Sequence, residues 1–443
     1  MDLTYGTLLV ALLATIAVAK SFTKKSAQEH LPLPPGPKPL PILGNLHQIN
    51  RAFPWITYKE WSEIYGDIIY SRILNQNVII LNSEKVARAL LEQRSSNYSD
   101  RPRFVMPSAR FGVSFRTPMQ GYGDAWRRHR RIFHQAFRPD AAVIYQPMQL
   151  RKAHQLLLDL LHDPGNYELH LETHSASIIM SAVYDYETKP NDPLVSMIRG
   201  AMDSIIKAET PEKAAIIDAY PTLTLLPAWF PGASFKRHAL ELKSVLTDMV
   251  EIPFEYALDK FSSGLSATSM VSEGLARFQG DASFELAIKE SSATAFGGVP
   301  HAAVNDDVYD GYLIPKGTTI LTNIWYGHNS HTQLLASHRH DPERFFTPSG
   351  DLNDDLVTPV WGWGRRICAG RYLADASVWS AIVSMLTVFD FLKAKDASGK
   401  DIDFEPRWTS GVASRPVNFP CRIIPRRGDM DVEKLTSLIS IAT

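Results

Sequence analysis

The sequence predicts a mainly α domain with a smaller β part (α+β), and three observations carry that prediction. Apolar residues recur at helical spacing through Leu156–Leu161, Ile178–Val183 and Val195–Ile206. Strand-like runs are few and short, at Ile68–Ile73, at Val78–Leu81 and around Val308–Thr318. Beyond the first few dozen residues, neither a linker nor a composition break divides the 443-residue chain, so one large helical domain is the simpler reading.

At the start, Leu3 to Ala19 is almost wholly apolar and uncharged, ahead of Lys20, Lys24 and Lys25. A helix over these residues is about 25 Å long against a bilayer core of about 30 Å, so it spans with local thinning. Ala17-Val18-Ala19 also reads as a signal-peptidase site. Asp2 and the absence of a basic start speak instead for an uncleaved single-pass anchor over 1–19, with the lysines on the cytosolic side. Residues 20–45 form a basic, proline-rich hinge. Its run from Leu31 to Pro41 excludes a helix and holds the chain extended, though it also reads as a ligand for a peptide-binding domain.

The main domain is expected over 46–443. Two strands flank a polar Asn-Gln-Asn turn, and Glu84 to Leu91 reads as a helix. Trp126 and Arg130 are four apart, so on a helix an indole N–H and a guanidinium share a face and can meet one anion. The neighbouring Arg127, Arg128 and Arg131 read as an exposed basic face. Leu226–Gly232 interrupts the helices, and its Trp229 and Phe230 suit contact with a membrane. Phe284–Phe296 opens a helix that Gly297-Gly298 and Pro300 stop.

Composition limits the chemistry. Lys+Arg 46 against Asp+Glu 47 gives a net charge of −1, which offers nothing to nucleic acid. Two cysteines without a C-x-x-C exclude a disulfide scaffold and a zinc ribbon and imply a reducing compartment. Cys421 lies in an alternating, strand-like run and reads as packing. His328, His331, His338 and His340 cluster in sequence, but their spacings match no familiar metal site.

The chemistry centres on Pro359 to Gly370, Pro-Val-Trp-Gly-Trp-Gly-Arg-Arg-Ile-Cys-Ala-Gly, ahead of a long apolar helical run that Val378 to Phe391 is expected to continue. Its glycines let backbone pass close to a flat ligand, while Arg365, Arg366 and the free amides of a helix start favour a thiolate at Cys368. A buried structural cysteine beside a tight turn is the plain alternative.

Trp361, Gly364, Arg366, Cys368 and Gly370 resemble the F-x-x-G-x-R-x-C-x-G signature of the cytochrome P-450 family, with tryptophan in place of phenylalanine. The chain is thereby similar to the family's membrane-anchored microsomal members, fungal ones in particular. The resemblance implies a haem b cofactor with Cys368 as axial iron ligand and Arg366 on a propionate. Trp126 and Arg130 match the family's W-x-x-x-R element, which also implies propionate contacts, and His301 would be a further propionate partner. Leu226–Gly232 resembles the roof over the family's substrate pocket, the alternative to membrane contact for Trp229 and Phe230. It implies a haem-dependent monooxygenase acting on an apolar organic substrate with O2, fed by an NADPH-dependent flavin reductase. The expected location is the endoplasmic reticulum membrane, with the catalytic domain cytosolic, and secondary metabolism is the expected setting.

One departure stands out. The family continues the Phe284 helix into an acid–threonine relay and then an E-x-x-R motif, yet no glutamate here has arginine three residues on. The central helix is therefore expected to be incomplete, with a segment missing between Gly298 and Val299. Arg344 of Pro342-Glu343-Arg344-Phe345 thereby loses its family partners, and no proton-relay residue is available. A catalytically impaired remnant or haem-binding protein is the alternative function.

Overall fold

The computed structural model describes residues 31–102, 115–208, 221–227, 229–230, 234–294, 300–324, 342–353, 358–409 and 415–442. The expected anchor, Gly297-Gly298, Trp325 and the four clustered histidines lie outside them, as does the Arg344 side chain. Among the described residues no helix is long and apolar enough to cross a membrane.

The chain enters extended along the sheet. Its prolines leave carbonyls free to accept, and Tyr70 N donates to Pro35 O at 2.9 Å while Leu313 N donates to Pro32 O at 2.9 Å. The chain is thus docked on the globule from Pro32 onward. After α1 (Pro54–Tyr65), β1 (Ile68–Ile73) and β2 (Gln76–Leu81) form an antiparallel hairpin. Gln76 and Asn77 belong to β2, so the turn is tighter than the expected Asn-Gln-Asn, with Leu74 in the left-handed region at φ 51°.

The expected helix at Glu84 breaks into α2 (Glu84–Ala87) and a π-helical stretch, Arg88–Gln93. Next come α3 (Asp124–Phe137), α4 (Pro139–Ala142), α5 (Gln146–His162), α6 (Tyr167–Tyr184), α7 (Pro193–Ala208), α8 (Ser234–Ser262), α9 (Met270–Arg277) and α10 (Ala282–Ser292). Ser269 and Asp281 cap α9 and α10 through their side chains, accepting the free N–H groups of the first turn.

Strands β3 (His301–Ala302), β4 (Asp307–Tyr309), β5 (Tyr312–Ile314) and β6 (Thr319–Thr322) follow. β6 runs parallel to β2 and antiparallel to β3, giving a four-stranded sheet ordered β1-β2-β6-β3. β4 and β5 pair across Asp310-Gly311, both at positive φ as a tight hairpin requires. The chain ends with α11 (Arg371–Val388), β7 (Phe389–Lys393), β8 (Cys421–Pro425) and α12 (Val432–Ala442). Phe389–Phe391, expected to prolong the helix, pairs with β8 instead.

Helices dominate and strands stay in small sheets, so the architecture is mainly α with a smaller β part, as predicted. Ile132, Phe133, Ile178, Val183, Leu246 and Ile288 form the main core among α3, α6, α8 and α10. A second core joins the four-stranded sheet to the π-helical stretch and includes Trp363. A third gathers Leu156, Leu160, Phe389, Ile423 and Leu435, with Cys421 packed against it as expected.

Candidate functional site

The Cys368 loop is shaped by a plug and two glycines. Trp363 is buried in the sheet core and anchors the loop. Gly364 lies at φ +59°, where a Cβ would stand 1.9 Å from Leu91 O, so no larger residue fits without moving the π-helical stretch. Gly362 supplies a second positive φ of 76°. Cys368 N then donates to Trp361 O at 2.8 Å, closing the loop, while the thiol side chain is exposed. At Gly370 a Cβ would meet nothing within 4 Å, so its smallness serves no contact inside the protein and leaves room beside the thiol. Trp361 is half-buried. On the far side, Gln149 Nε2 donates to Leu373 O at 2.7 Å and to Ser377 Oγ at 2.8 Å, tying α5 to the start of α11.

Beside the thiol, arginines converge. Arg366 donates through Nε to Ser99 O and through Nη2 to Gln120 O, each at 2.8 Å. Its guanidinium stacks 4.2 Å from the centre of the Trp126 ring, and Nη1 is buried without a partner. Trp126 therefore contributes its ring face to this site. Arg101 donates to Pro118 O and Pro300 O, both at 2.8 Å. Arg130, mostly buried on α3, feels the Cys368 thiol electrostatically.

Burial lowers the pKa of all three guanidiniums. It brings Arg366 to about 10, with Asp100 opposing, and Arg101 to about 9, aided by Arg366. Arg130 is also lowered, chiefly by burial. Asp100 is the carboxylate that counters Arg101 and Arg366, and its Oδ1 also accepts from Tyr122 N at 2.8 Å. A cluster of desolvated cations with an unused N–H is short of negative charge, and a ligand carrying carboxylates supplies it.

His301 joins this cluster as a neutral ring. A carbonyl only accepts, so its Nδ1–H donates to Tyr98 O at 2.8 Å. Burial, then Arg101, hold its pKa at about 3. In this state His301 carries no positive charge into the cluster.

The structure thus brings Trp126, Arg101 and His301 around Arg366, and Arg130 beside Cys368. Sequence reasoning missed Arg101, Ser99, Gln120 and Pro118, three of which act through backbone carbonyls. Of the presumed exposed arginines, Arg127 is exposed and pairs with Asp124. Arg131 is exposed too and lies 5.6 Å from the Phe284 ring centre, whereas Arg128 is half-buried with its Nε buried. Trp229 is 78% exposed, as either reading of that segment allows. No cluster of metal-ligating side chains is present among the described residues.

These residues fit a haem with its two acidic side arms: an outward thiol faces open space, and an under-compensated guanidinium cluster with an unpaired Nη1 stands beside it.

The cytochrome P-450 family model matches residues 34–252 and 292–420. Cytochrome P-450 monooxygenase 98 of Postia placenta is 29% identical over 498 residues, covering 94% of this chain and 95% of the relative. Cytochrome P-450 monooxygenase ple1 of Rhodocybe pseudopiperita is 30% identical over 497 residues, covering 95% of each chain. A cytochrome P-450 monooxygenase of Armillaria gallica is 30% identical over 496, covering 94% of this chain and 96% of the relative. Since 94% of 443 residues is about 416, the first alignment holds roughly 80 positions that this chain does not fill. With nearly four fifths of its length matched by one model and full-length relatives that share the name, the chain belongs to the cytochrome P-450 family, the oxidoreductases of the haem-thiolate monooxygenase class.

Proposed function

We propose that this protein is a membrane-anchored monooxygenase of apolar organic molecules, binding haem b through Cys368 and taking electrons from an NADPH-dependent flavin reductase. The observation that carries the cofactor reading is the unpaired Arg366 Nη1 within a group of buried guanidiniums next to an exposed thiol. When bound, haem supplies O2 activation and oxygen insertion.

The chain's own residues do the rest. Cys368 Sγ would hold the haem iron, and the Arg130 guanidinium lies within electrostatic reach of it. Arg366 and Arg101 are aimed by backbone carbonyls, so their free N–H groups are pre-set for the cofactor's carboxylates. Trp126 holds the Arg366 plane by stacking. A flexible lysine at that position would lose both restraints.

Support for the anchor is the uncharged run Leu3 to Ala19, and the lysines after it favour a cytosolic catalytic domain at the endoplasmic reticulum. Exposed Arg127 and Arg365 beside Tyr122 offer cations to an acidic redox partner.

We further infer that this chain is catalytically impaired. About 80 alignment positions are unfilled, and the break between Gly298 and Val299 is where the relay and the E-x-x-R motif are expected. Haemin reconstitution followed by turnover with a flavin reductase and NADPH tests this. Haem binding with little or no substrate oxidation is expected. Sustained turnover would overturn impairment, and absence of haem binding would favour a remnant without its cofactor.

A further inference from the structure

We propose that His129 is the positioning residue of the arginine cradle, locking α3 to α10 and to the loop 115–122. The proposal rests on reading Arg101, Arg130 and Arg366 as the seat of the cofactor's carboxylates.

His129 is 1% exposed, and both ring nitrogens are engaged. Nε2 faces Glu290 Oε2 on α10 at 3.2 Å and donates to it, since a carboxylate only accepts. Nδ1 is hydrogen-bonded to Thr117 Oγ1 at 2.8 Å, and Thr117 Oγ1 in turn to Thr294 Oγ1 at 2.9 Å. The Gln120 side-chain amide lies 3.4 Å from His129 Nε2 and donates to Phe115 O at 3.2 Å. One imidazole therefore joins a helix, the end of a second helix and both ends of a loop.

That loop aims the cradle. Gln120 O accepts from Arg366, and Pro118 O accepts from Arg101. His129 also falls between Trp126 and Arg130 on α3, so its tether to α10 fixes the rotation of the helix and hence the direction of both side chains. A purely apolar residue there would fill space but set neither the loop nor the rotation. Its loss would also take one hydrogen-bond partner each from Glu290 and Thr117.

The test uses the full chain without added cofactor, comparing the unmodified protein with His129→Leu, His129→Gln and Thr117→Val. The readout is the rate at which phenylglyoxal modifies Arg366 and Arg101, followed by mass spectrometry, with exposed Arg422 as control. His129→Leu is expected to speed modification of both by about tenfold or more, the scale of a broken buried hydrogen bond, with Arg422 unchanged. His129→Gln, which keeps a donor and an acceptor, is expected to recover most of the protection. Unchanged rates in a folded His129→Leu, or equal acceleration in His129→Gln, would overturn the proposal.

Should His129→Leu not fold, Thr117→Val keeps the His129–Glu290 bond, removes the Thr117 bonds to His129 and Thr294, and is expected to free Arg366, whereas unchanged protection would refute the role. Haemin titration of the same proteins separates this from the cofactor reading. Freed arginines with unaltered haemin affinity would uphold positioning and defeat the carboxylate assignment.

Discussion

Gly364 shows how one missing side chain places the thiol loop. At φ +59° with Leu91 O directly where a Cβ would sit, Gly364→Ala adds both backbone strain and a clash that only a shift of the π-helical stretch relieves. We expect a loss of about 2–4 kcal/mol, read as a clear fall in the urea midpoint. The same substitution at Gly370, where a Cβ meets open space and φ is −91°, should leave the stability of the cofactor-free chain within about 0.5 kcal/mol. Equal stability of the two variants would contradict the packing described for this loop.

His301 gives a residue-scale prediction in pH. Its folded pKa of about 3 lies below the ordinary histidine value near 6.5, so between these values the unfolded chain binds the extra proton. The stability it contributes is complete above about pH 6.5 and drains away as pH falls toward 3, at up to roughly 1.4 kcal/mol per unit. Urea unfolding at about pH 7 and pH 5 should show this decline, and His301→Asn should flatten it. An identical slope in the variant would assign the decline to other groups.

At the scale of elements, α11 is the anomaly. It is apolar on most of its circumference, and Val378, Trp379, Ile382, Val383 and Leu386 stand 42–67% exposed at spacings that share one broad face. Such a helix ordinarily lies inside a larger protein. Self-association in detergent-free buffer is therefore expected, and the double substitution Trp379→Glu with Ile382→Glu should return the chain to a monomer by light scattering. A monomeric unsubstituted chain at micromolar concentration would count against this reading. By contrast α10 is short, capped by Asp281 and ended at Ser292, and its Glu290 and Thr294 side are occupied by His129 and Thr117.

Across the whole molecule, what could be read ahead of the structure was local. The Trp126–Arg130 pair follows from a four-residue step on a helix, and the Cys368 loop from a dense run of glycine, arginine and aromatic residues. The hairpins at Ile68 and Asp307 follow from alternation and a turn. Arg101 was not legible, because it sits in an aperiodic loop and owes its role to residues such as Pro300, some 199 positions away. Ser99, Pro118 and Gln120 serve through carbonyls, which any residue carries, so their side chains signal nothing. Phe389 was misassigned because its apolar run continues that of α11 without a break, and only pairing with β8 turns it into strand.

The most direct test of the central claim, a haem held by the Cys368 thiolate and by the arginines around Arg366, is the spectrum of the reduced carbon monoxide complex after haemin reconstitution, taken for the unsubstituted chain and for Cys368→Ser. A thiolate-type Soret band is predicted for the former and its loss for the latter. No such band in the unsubstituted chain, or the same band in both, would contradict it.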